Sequence, residues 1–192
     1  MTRYPRKDFQ QADSKVCYEL IHKYPLAGLL LLIGANKFPH ISHLPFYLEA
    51  STNKLIGHVS NNHPLAQKLM NNLVTKIQLI FNGVNGYISP NYAKEQVVPT
   101  WNYAAVTVQA TANIVNDKHD KLRIMKMTTA HFEHSQTIPW KLSAMTEKKL
   151  TMMLNAITVF TLTITEINGN FKLSQNKSSI TQQEISRYMS NF

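Results

Sequence analysis

Apolar and polar residues alternate with a period of two along residues 101–115, the longest regular pattern in this chain. One face carries small and branched apolar residues, whereas the other carries Trp101, Thr107, Gln109 and further polar or aromatic residues. The alternation predicts one long β-strand with a buried face of small side chains. Shorter apolar runs predict further strands over residues 29–33, 40–49, 55–59, 76–81, 87–90 and 157–167.

Helices are predicted where a capping residue precedes apolar residues spaced three or four apart. Proline ends the first helix at Pro25 and suits the first position of the second helix at Pro64. The last cap lies in a Thr-x-x-Glu capping box. The predicted caps, in chain order, are Asp13, Asn62 or His63, Asp117, Thr146 and Thr181.

Asn168-Gly169 follows a strand pattern, and Asn-Gly is typical of a two-residue β-hairpin turn. We therefore expect the chain to reverse there, with residues 171–176 as the return strand and a turn at 34–37 earlier in the chain. The patterns predict about seven strands and four or five short helices, without regular βαβ units. The predicted fold is mainly β with α, a small antiparallel barrel with helices packed outside, in one domain over residues 1–192.

The composition excludes several common cofactor folds. No two of the six glycines are spaced as Gly-x-Gly, and no P-loop motif occurs, so classical nucleotide-binding loops are excluded. The single cysteine, Cys17, excludes an internal disulfide and a multi-cysteine zinc site. The net charge of +9 is spread along the chain, with its densest cluster between Lys118 and Lys126. A solvated helix face is the favoured explanation of that cluster, and an anionic partner is the alternative.

The longest apolar run, residues 26–33, is far shorter than the roughly 20 residues of a transmembrane helix. No apolar segment typical of a signal peptide follows the basic N-terminus. We therefore expect a cytoplasmic protein without a membrane partner.

Three segments carry side chains suited to ligand binding. The segment 60–64 leads from a strand into a helix, where free N–H groups bind anions, although ordinary N-capping is the favoured explanation from the spacing alone. Trp101-Asn102-Tyr103 sets two aromatic rings beside an amide, which suits a planar ligand or a barrel rim. Lys172, Ser174 and Asn176 share one strand face, which would bind an anion or face water.

Two pairs of histidines, His40 with His43 and His131 with His134, have a spacing that resembles metal ligands. Neither pair has cysteine partners, and no His-Glu-x-x-His motif occurs, so we predict no metal site. The chain also has no Gly-x-Ser-x-Gly elbow and no acid–base constellation. No catalytic residue is predicted.

Short motifs from near residue 4 to near residue 177 resemble, in the same order, those of the PaiB-type FMN-binding negative transcriptional regulators. The two most specific are Val98-Pro99-Thr100-Trp101-Asn102-Tyr103 and Lys172-Leu173-Ser174-Gln175-Asn176. The others include Pro25-Leu26-Ala27, His43-Leu44-Pro45, Gly57-His58-Val59, Asn62-His63-Pro64, Tyr87-Ile88-Ser89-Pro90 and Pro139-Trp140.

This resemblance implies an FMN-binding split β-barrel, similar to pyridoxamine-phosphate oxidases, that forms a homodimer with the flavin at the subunit interface. It places the FMN phosphate at a strand pair that holds His43, Leu44, Pro45, His58, Ser60, Asn61 and Asn62. It places the flavin ring against the partner subunit, where we expect contacts from Trp101, Asn102, Tyr103, Lys172 and Gln175.

The family name implies a negative regulator of transcription, with DNA as a partner. A flavin-dependent oxidoreductase on the same fold and a cofactor-free dimeric binding module are the alternatives. The chain departs from the family at Val84, Asn91 and Thr107, where Pro, Trp and His are usual. It also lacks the Arg and Lys pair of true pyridoxamine-phosphate oxidases, which argues against that activity. Enzymatic activity is therefore left open and is less expected than regulation.

Overall fold

The structure, a computed structural model, describes residues 5–32, 38–71, 73 and 76–189. The helices are α1 (Ser14–Lys23), α2 (Pro64–Met70), α3 (Lys118–Glu133), α4 (Glu147–Asn155) and α5 (Ser179–Met189). The strands are β1 (Gln10–Gln11), β2 (Leu26–Leu31), β3 (His40–Pro45), β4 (Tyr47–Glu49), β5 (Lys54–Ser60), β6 (Ile77–Ile88), β7 (Thr100–Val115) and β8 (Ile157–Lys172).

The eight strands form one sheet in the order β3-β2-β6-β7-β8-β5-β4, and β1 pairs with β8 beside this path. Strand β2 pairs with β3, β4 with β5 and β5 with β8, in each case antiparallel. Neighbouring strands that are joined by turns pair in this way. The predicted fold class, a split β-barrel that is mainly β with additional helices, is confirmed.

The chain divides into two compact units, and β6, β7 and β8 contribute residues to both. Unit 1 comprises Met1–Tyr24, Ile80–Thr107 and Ile167–Phe192, and its core includes Cys17, Ile21, Phe81, Ile88 and Val106. Unit 2 comprises Pro25–Leu79 and Val108–Glu166, and its core includes Leu29, Phe46, Leu55, Leu79, Val108 and Phe160. Our expectation of a single domain over residues 1–192 stays a prediction.

The long alternating pattern folds as expected. In β7, every second side chain from Asn102 to Ala112 is buried, and those between are exposed or half-buried. Its buried face is built from small residues, which lets neighbouring strands and side chains pack closely against it. The predicted strand over residues 29–33 begins earlier, at Leu26, and Ile33 with the turn at 34–37 lies outside the described residues.

Four of the five predicted helix starts are confirmed with their caps. Asp13 accepts a hydrogen bond from the Lys15 N–H, and Asp117 accepts one from the Asp120 N–H. His63 accepts from Leu65 at the start of α2, and Thr146 accepts from Lys149 at the start of α4. Each side chain satisfies an N–H that the first turn of the helix leaves without a partner.

The fifth helix starts earlier than predicted. Helix α5 begins at Ser179, and the Ser178 hydroxyl accepts the Thr181 N–H at 3.3 Å. Thr181 therefore lies inside the first turn, where its buried hydroxyl donates to Glu95 Oε2 at 2.5 Å. The capping-box prediction at Thr181 is wrong because another hydroxyl residue, Ser178, lies three positions before it.

The predicted hairpin at Asn168-Gly169 is also wrong. Strand β8 continues to Lys172, and Gly169 pairs with Gln11 of β1. A Cβ at Gly169 would lie 2.7 Å from the Gln11 Cβ and 2.9 Å from the Cys17 Sγ. This glycine therefore serves a close approach between chain segments rather than a turn. No described glycine has a positive φ, the conformation that an Asn-Gly hairpin turn requires.

Candidate functional site

A cleft of about 270 Å³ opens in unit 2 between β5, α3 and the segment that follows α3. We call it the Trp140 cleft. Its lining residues are mostly apolar or aromatic, as in most small-molecule sites. They are Pro45, Ile56, Gly57, His58, Ile124, Met125, Thr128, Thr129, Phe132, Glu133 and Trp140.

Three motifs that are distant in the sequence meet in this cleft. Pro45 ends the His-Leu-Pro motif, Gly57 and His58 open the Gly-His-Val motif, and Trp140 ends the Pro-Trp motif. They lie on β3, on β5 and after α3, so only the folded chain brings them together. Of the predicted site residues, Pro45 and His58 line the cleft, whereas sequence reasoning did not assign Trp140 to the site.

Gly57 is required by the packing beneath the cleft. A Cβ at this position would lie 2.9 Å from Phe46 Cε1 and 3.2 Å from Phe160 Cζ. The two phenylalanine rings are fully buried and meet edge to face, with their centroids 6.2 Å apart. Glycine thus lets this aromatic pair pack directly under β5, next to His58.

Helix α3 forms one wall of the cleft through residues four apart. Met125, Thr129 and Glu133 lie at positions i, i+4 and i+8, which places them on one helical face. The Glu133 Oε2 accepts the backbone N–H of Trp140 at 2.9 Å, and this contact ties the segment after α3 back to the helix. Trp140 is 44% exposed, so its ring forms an accessible rim of the cleft.

His58 presents a polar edge in these apolar surroundings. Its side chain retains solvent exposure, and its ring nitrogens make no hydrogen bond to any described residue. Desolvation by the residues around the ring lowers the pKa of His58 below its usual value of 6.5. The imidazole is therefore neutral at pH 7, with one donor and one acceptor nitrogen for a ligand.

A second lobe of about 160 Å³ extends the cleft towards α4. It shares His58, Met125, Thr129 and Trp140 with the first lobe. Its other walls come from Leu142, Met145, Leu150, Met153, Leu154 and Ile157. Thioether side chains adapt their shape to a flat ligand and make favourable contacts with aromatic rings.

The predicted anion site at residues 60–63 has its backbone donors already engaged. The N–H groups of Asn61, Asn62 and His63 donate to Ala156 O, to Ser60 Oγ and to Ser60 O. The Asn61 side chain also donates to Asn155 O and accepts from the Thr158 hydroxyl. Ser60 and Asn62 remain exposed, as does His43, while Leu44 is half-buried on β3. A phosphate position at this segment stays a prediction.

Ser42 and His63 form a hydrogen-bonded pair beside that segment, with Oγ and Nε2 2.8 Å apart. Because His63 Nδ1 accepts the Leu65 N–H at 3.1 Å, the neutral ring carries its proton on Nε2 and donates it to Ser42. The pair therefore does not activate the serine as a nucleophile. Desolvation and the nearby His40 lower the pKa of His63, which favours this neutral form.

In unit 1, three of the residues expected at the flavin ring keep accessible side chains. Trp101 is 55% exposed and meets Tyr87 edge to face, with ring centroids 6.1 Å apart. The Tyr103 hydroxyl accepts from Asn170 Nδ2 at 3.1 Å, and Lys172 Nζ donates to the Thr100 hydroxyl.

The other two form hydrogen bonds within unit 1, Asn102 as a buried residue and Gln175 as an exposed one. The buried Asn102 amide donates to Ser174 Oγ at 3.0 Å and accepts from it at 3.1 Å. The Gln175 amide donates to Asp8 O at 2.7 Å and accepts the Leu173 N–H at 2.6 Å. Both amides stabilise the turn around Ser174, whose φ of 63° is left-handed. A flavin contact from these residues stays a prediction.

Among the described residues, no group of three or more His, Cys, Asp or Glu side chains is arranged to hold a metal ion. The described helices also include none that is long and apolar enough to span a membrane.

Comparison with known proteins identifies the family. Residues 3–166 match the family model described as "Putative FMN-binding domain". The chain is 26% identical over 211 residues to the protein AN0679 of Emericella nidulans, covering 90% of this chain and 84% of that protein. It is 24% identical over 155 residues to the protease synthase and sporulation protein PAI 2 of Bacillus subtilis, covering 80% and 73% of the two chains.

The fold is similar to that of the FAD and heme binding protein from Mycobacterium smegmatis, with a TM-score of 0.65. It is also similar to that of the flavocytochrome Anf3 from Azotobacter vinelandii, with a TM-score of 0.64. The alignment with the M. smegmatis protein covers 93% of this chain and 80% of that protein, at 16% identity. The alignment with Anf3 covers 85% of this chain and 69% of Anf3, also at 16% identity. At this identity the likeness bears on the fold alone. The family match covers most of the chain, and it confirms the resemblance drawn from the short motifs. This chain belongs to the "Putative FMN-binding domain" family, and FMN is its cofactor.

Proposed function

We propose that this protein is an FMN-binding regulator of the PaiB type that holds the flavin ring in the Trp140 cleft. The observation that carries the proposal is the convergence of Pro45, Gly57-His58 and Trp140, three separate family motifs, in one cleft. A mostly apolar cleft with a few polar groups is the usual form of a small-molecule site.

The chemistry of the cleft fits a planar, mostly apolar ring with polar edges. Trp140 and Phe132 offer aromatic surface, and Met125 with Met153 offers adaptable thioether contacts. The neutral His58 imidazole would hydrogen-bond to a nitrogen or oxygen at the ring edge. Bound FMN supplies reversible one- and two-electron transfer, whereas these residues orient the ring and exclude water from its faces.

A homodimer with the flavin near its interface is part of this proposal. On the paired strands β2 and β3, Leu26 faces Pro45 and Leu30 faces Ile41. Leu26 and Ile41 are 58% and 57% exposed, so this sheet face presents apolar surface to a second copy. Pro45 also lines the Trp140 cleft, and this shared residue supports a flavin site beside the interface.

We also propose that the protein regulates transcription by binding DNA in the cytoplasm. It is supported by the resemblance to PaiB-type regulators and by the similarity to PAI 2, whose name refers to protease synthesis and sporulation. The net charge of +9 favours approach to a polyanion. On α3, Arg123 is paired with Asp120, and Lys121 donates to Ile157 O, which leaves Lys118 and Lys126 as the outward cations of that cluster.

The proposal is tested by the visible spectrum of the purified protein before and after addition of FMN. We expect flavin bands that persist through desalting and one FMN per chain at saturation. Sedimentation of the same sample reports the dimer. Absence of flavin bands after addition of FMN and desalting would contradict the proposal.

The regulator is distinguished from the oxidoreductase by two further measurements on the FMN-loaded protein. A mobility shift with DNA from upstream of its own gene, absent with unrelated DNA at matched salt, supports the regulator. Steady turnover of NADH or NADPH without such a shift would contradict it and support the enzyme.

A further inference from the structure

Asn61, which directly follows β5, is hydrogen-bonded to the C-terminal end of α4. Its backbone N–H donates to Ala156 O at 3.0 Å, and its side-chain Nδ2 donates to Asn155 O at 2.7 Å. Asn155 is the last residue of α4, and Ala156 is its C-cap. The last carbonyl groups of a helix have no partner within the helix. Asn61 therefore caps the end of α4 from a distant part of the chain.

The other polar groups of Asn61 are also engaged. The Thr158 hydroxyl donates to Asn61 Oδ1 at 2.9 Å, and Gln67 Nε2 donates to Asn61 O at 2.8 Å. Thr158 is 1% exposed, so its hydroxyl needs an acceptor inside the protein, and Asn61 supplies it. An amide that uses both its nitrogen and its oxygen in this way has little capacity left for a phosphate.

Helix α4 depends on the contacts at its ends. It has nine residues, and each of them keeps some solvent exposure. Its apolar contacts come mainly from Leu150 and Leu154, which are half-buried. Isolated helices shorter than about 12–15 residues are marginal in water, so a helix of this length needs tertiary contacts to hold its position. The hydrogen bonds from Asn61 supply such contacts at the C-terminal end.

The same helix walls the second lobe of the Trp140 cleft. Leu150, Met153 and Leu154 of α4 line this lobe together with Met125 and Trp140. Asn61 lines neither lobe, although it lies only three residues after His58, which lines both. Any effect of Asn61 on a ligand in the second lobe must therefore pass through α4.

We propose that Asn61 is a positioning residue that holds α4 as a wall of the flavin-ring site by capping the end of the helix. The proposal rests on the proposed function, which sets the ring in the Trp140 cleft. It leaves the phosphate at the strand pair that the resemblance implies. Asn61 itself acts on the ring through α4 instead of contacting the phosphate.

Two variants break the cap from opposite sides. Asn61→Ala removes the amide, whereas Thr158→Val removes only the hydroxyl that holds the amide oxygen. Thr158 is buried and lines neither lobe, so its replacement cannot act through a lost phosphate contact. By hydrogen exchange of the apoprotein, we expect the amides of α4 to exchange at least about fivefold faster in both variants, as for the loss of one or two hydrogen bonds. The amides of α3 should exchange at the wild-type rate.

Flavin titration then separates positioning from phosphate binding, because riboflavin lacks the phosphate of FMN. We expect the affinities for FMN and for riboflavin to fall by the same factor, about threefold to tenfold, in both variants. Saturating riboflavin should also slow the exchange of α4 amides in the wild-type protein. Asn155→Ala is the matched control, since it removes an exposed amide at the same junction but keeps the carbonyl that accepts from Asn61. It should bind both flavins as the wild type does.

A loss confined to FMN in Asn61→Ala would assign this residue to the phosphate and overturn the proposal. Wild-type riboflavin affinity and wild-type exchange of α4 in Thr158→Val would also overturn it, while leaving the proposed function intact. Wild-type protein that binds neither flavin would overturn both.

Discussion

The backbone N–H of Trp140 donates to the Oε2 of Glu133 across seven residues, at 2.9 Å. Glu133 is the last residue of α3, where the helix dipole disfavours a negative charge. The hydrogen bond to Trp140 explains the presence of a carboxylate at a helix end where the dipole does not stabilise it. It holds the aromatic rim of the cleft against the helix that forms the cleft wall.

Removal of this acceptor is expected to loosen Trp140 and weaken ring binding. In Glu133→Ala we expect riboflavin affinity to fall about fivefold, as for the loss of about 1 kcal/mol of hydrogen bonding. Riboflavin is the appropriate ligand because it has no phosphate and therefore reports only the contacts of the ring and its ribityl chain. Fluorescence titration measures the effect.

Glu133→Gln is the matched control, since its amide oxygen still accepts the Trp140 N–H. We expect near wild-type riboflavin affinity in this variant, because the hydrogen bond that holds Trp140 is kept. Equal losses in both variants would argue against the positioning role.

Gly169 is expected to tolerate no side chain. In Gly169→Ala the new Cβ would lie within 3.1 Å of the Gln11 Cβ, the Gln11 carbonyl and the Cys17 Sγ. We expect a loss of about 1–3 kcal/mol in the free energy of unfolding, the usual cost of overpacking. Urea denaturation of the apoprotein measures it.

Part of that cost should be recovered when Cys17 is also shortened. Comparison of Gly169→Ala with Cys17→Ala and the double variant gives the coupling between the two positions. A double variant whose loss equals the sum of the single losses would contradict the predicted clash with sulfur.

Local signals predicted much of the secondary structure. The caps at Asp13, Asp117 and Thr146 and the alternation along β7 act within a few residues, so they can be read directly from the chain. The hairpin prediction at Asn168-Gly169 was wrong because the contacts of Gly169 come from residues distant in the sequence, Gln11 on β1 and Cys17 on α1. A glycine is required at this position, but by tertiary packing rather than by a turn.

The candidate site was less predictable for the same reason. Pro45, His58 and Trp140 were recognised as parts of motifs, but only packing of α3 against β5 brings them into one cleft. The roles of Asn102 and Gln175 as supports for the Ser174 turn likewise depend on partners distant in the chain, Ser174 and Asp8. No periodicity encodes such contacts.

Stability should fall as the medium becomes mildly acidic. The pKa values of His58 and His63 are lowered in the folded protein, so below about pH 6.5 the unfolded chain binds protons that the folded chain does not. Their contribution is present above pH 6.5 and is lost as the pH falls through the folded pKa values. Urea denaturation between pH 7.5 and 5.5 measures it.

His63→Asn isolates one of the two groups, since asparagine still accepts the Leu65 N–H as a helix cap. We expect the free energy of unfolding of this variant to depend less steeply on pH than that of the wild type. His119→Asn, at an exposed position of α3, should retain the wild-type dependence. An identical pH profile in His63→Asn would contradict the predicted role of its imidazole.

The chain has two tryptophans, and they separate the two possible positions of the flavin ring. Trp140 lines the cleft in unit 2, whereas Trp101 packs against Tyr87 in unit 1. The two rings are similarly exposed, at 44% and 55%, so their replacement by leucine is a matched comparison.

FMN titration of Trp140→Leu and Trp101→Leu tests the placement of the flavin most directly. We expect Trp140→Leu to weaken FMN binding about fivefold to 150-fold, as for the loss of about 1–3 kcal/mol of aromatic stacking, and to reduce the quenching of bound flavin. Trp101→Leu should bind FMN within about twofold of wild type. Loss of FMN binding in Trp101→Leu together with wild-type binding in Trp140→Leu would contradict the assignment of the flavin ring to the Trp140 cleft.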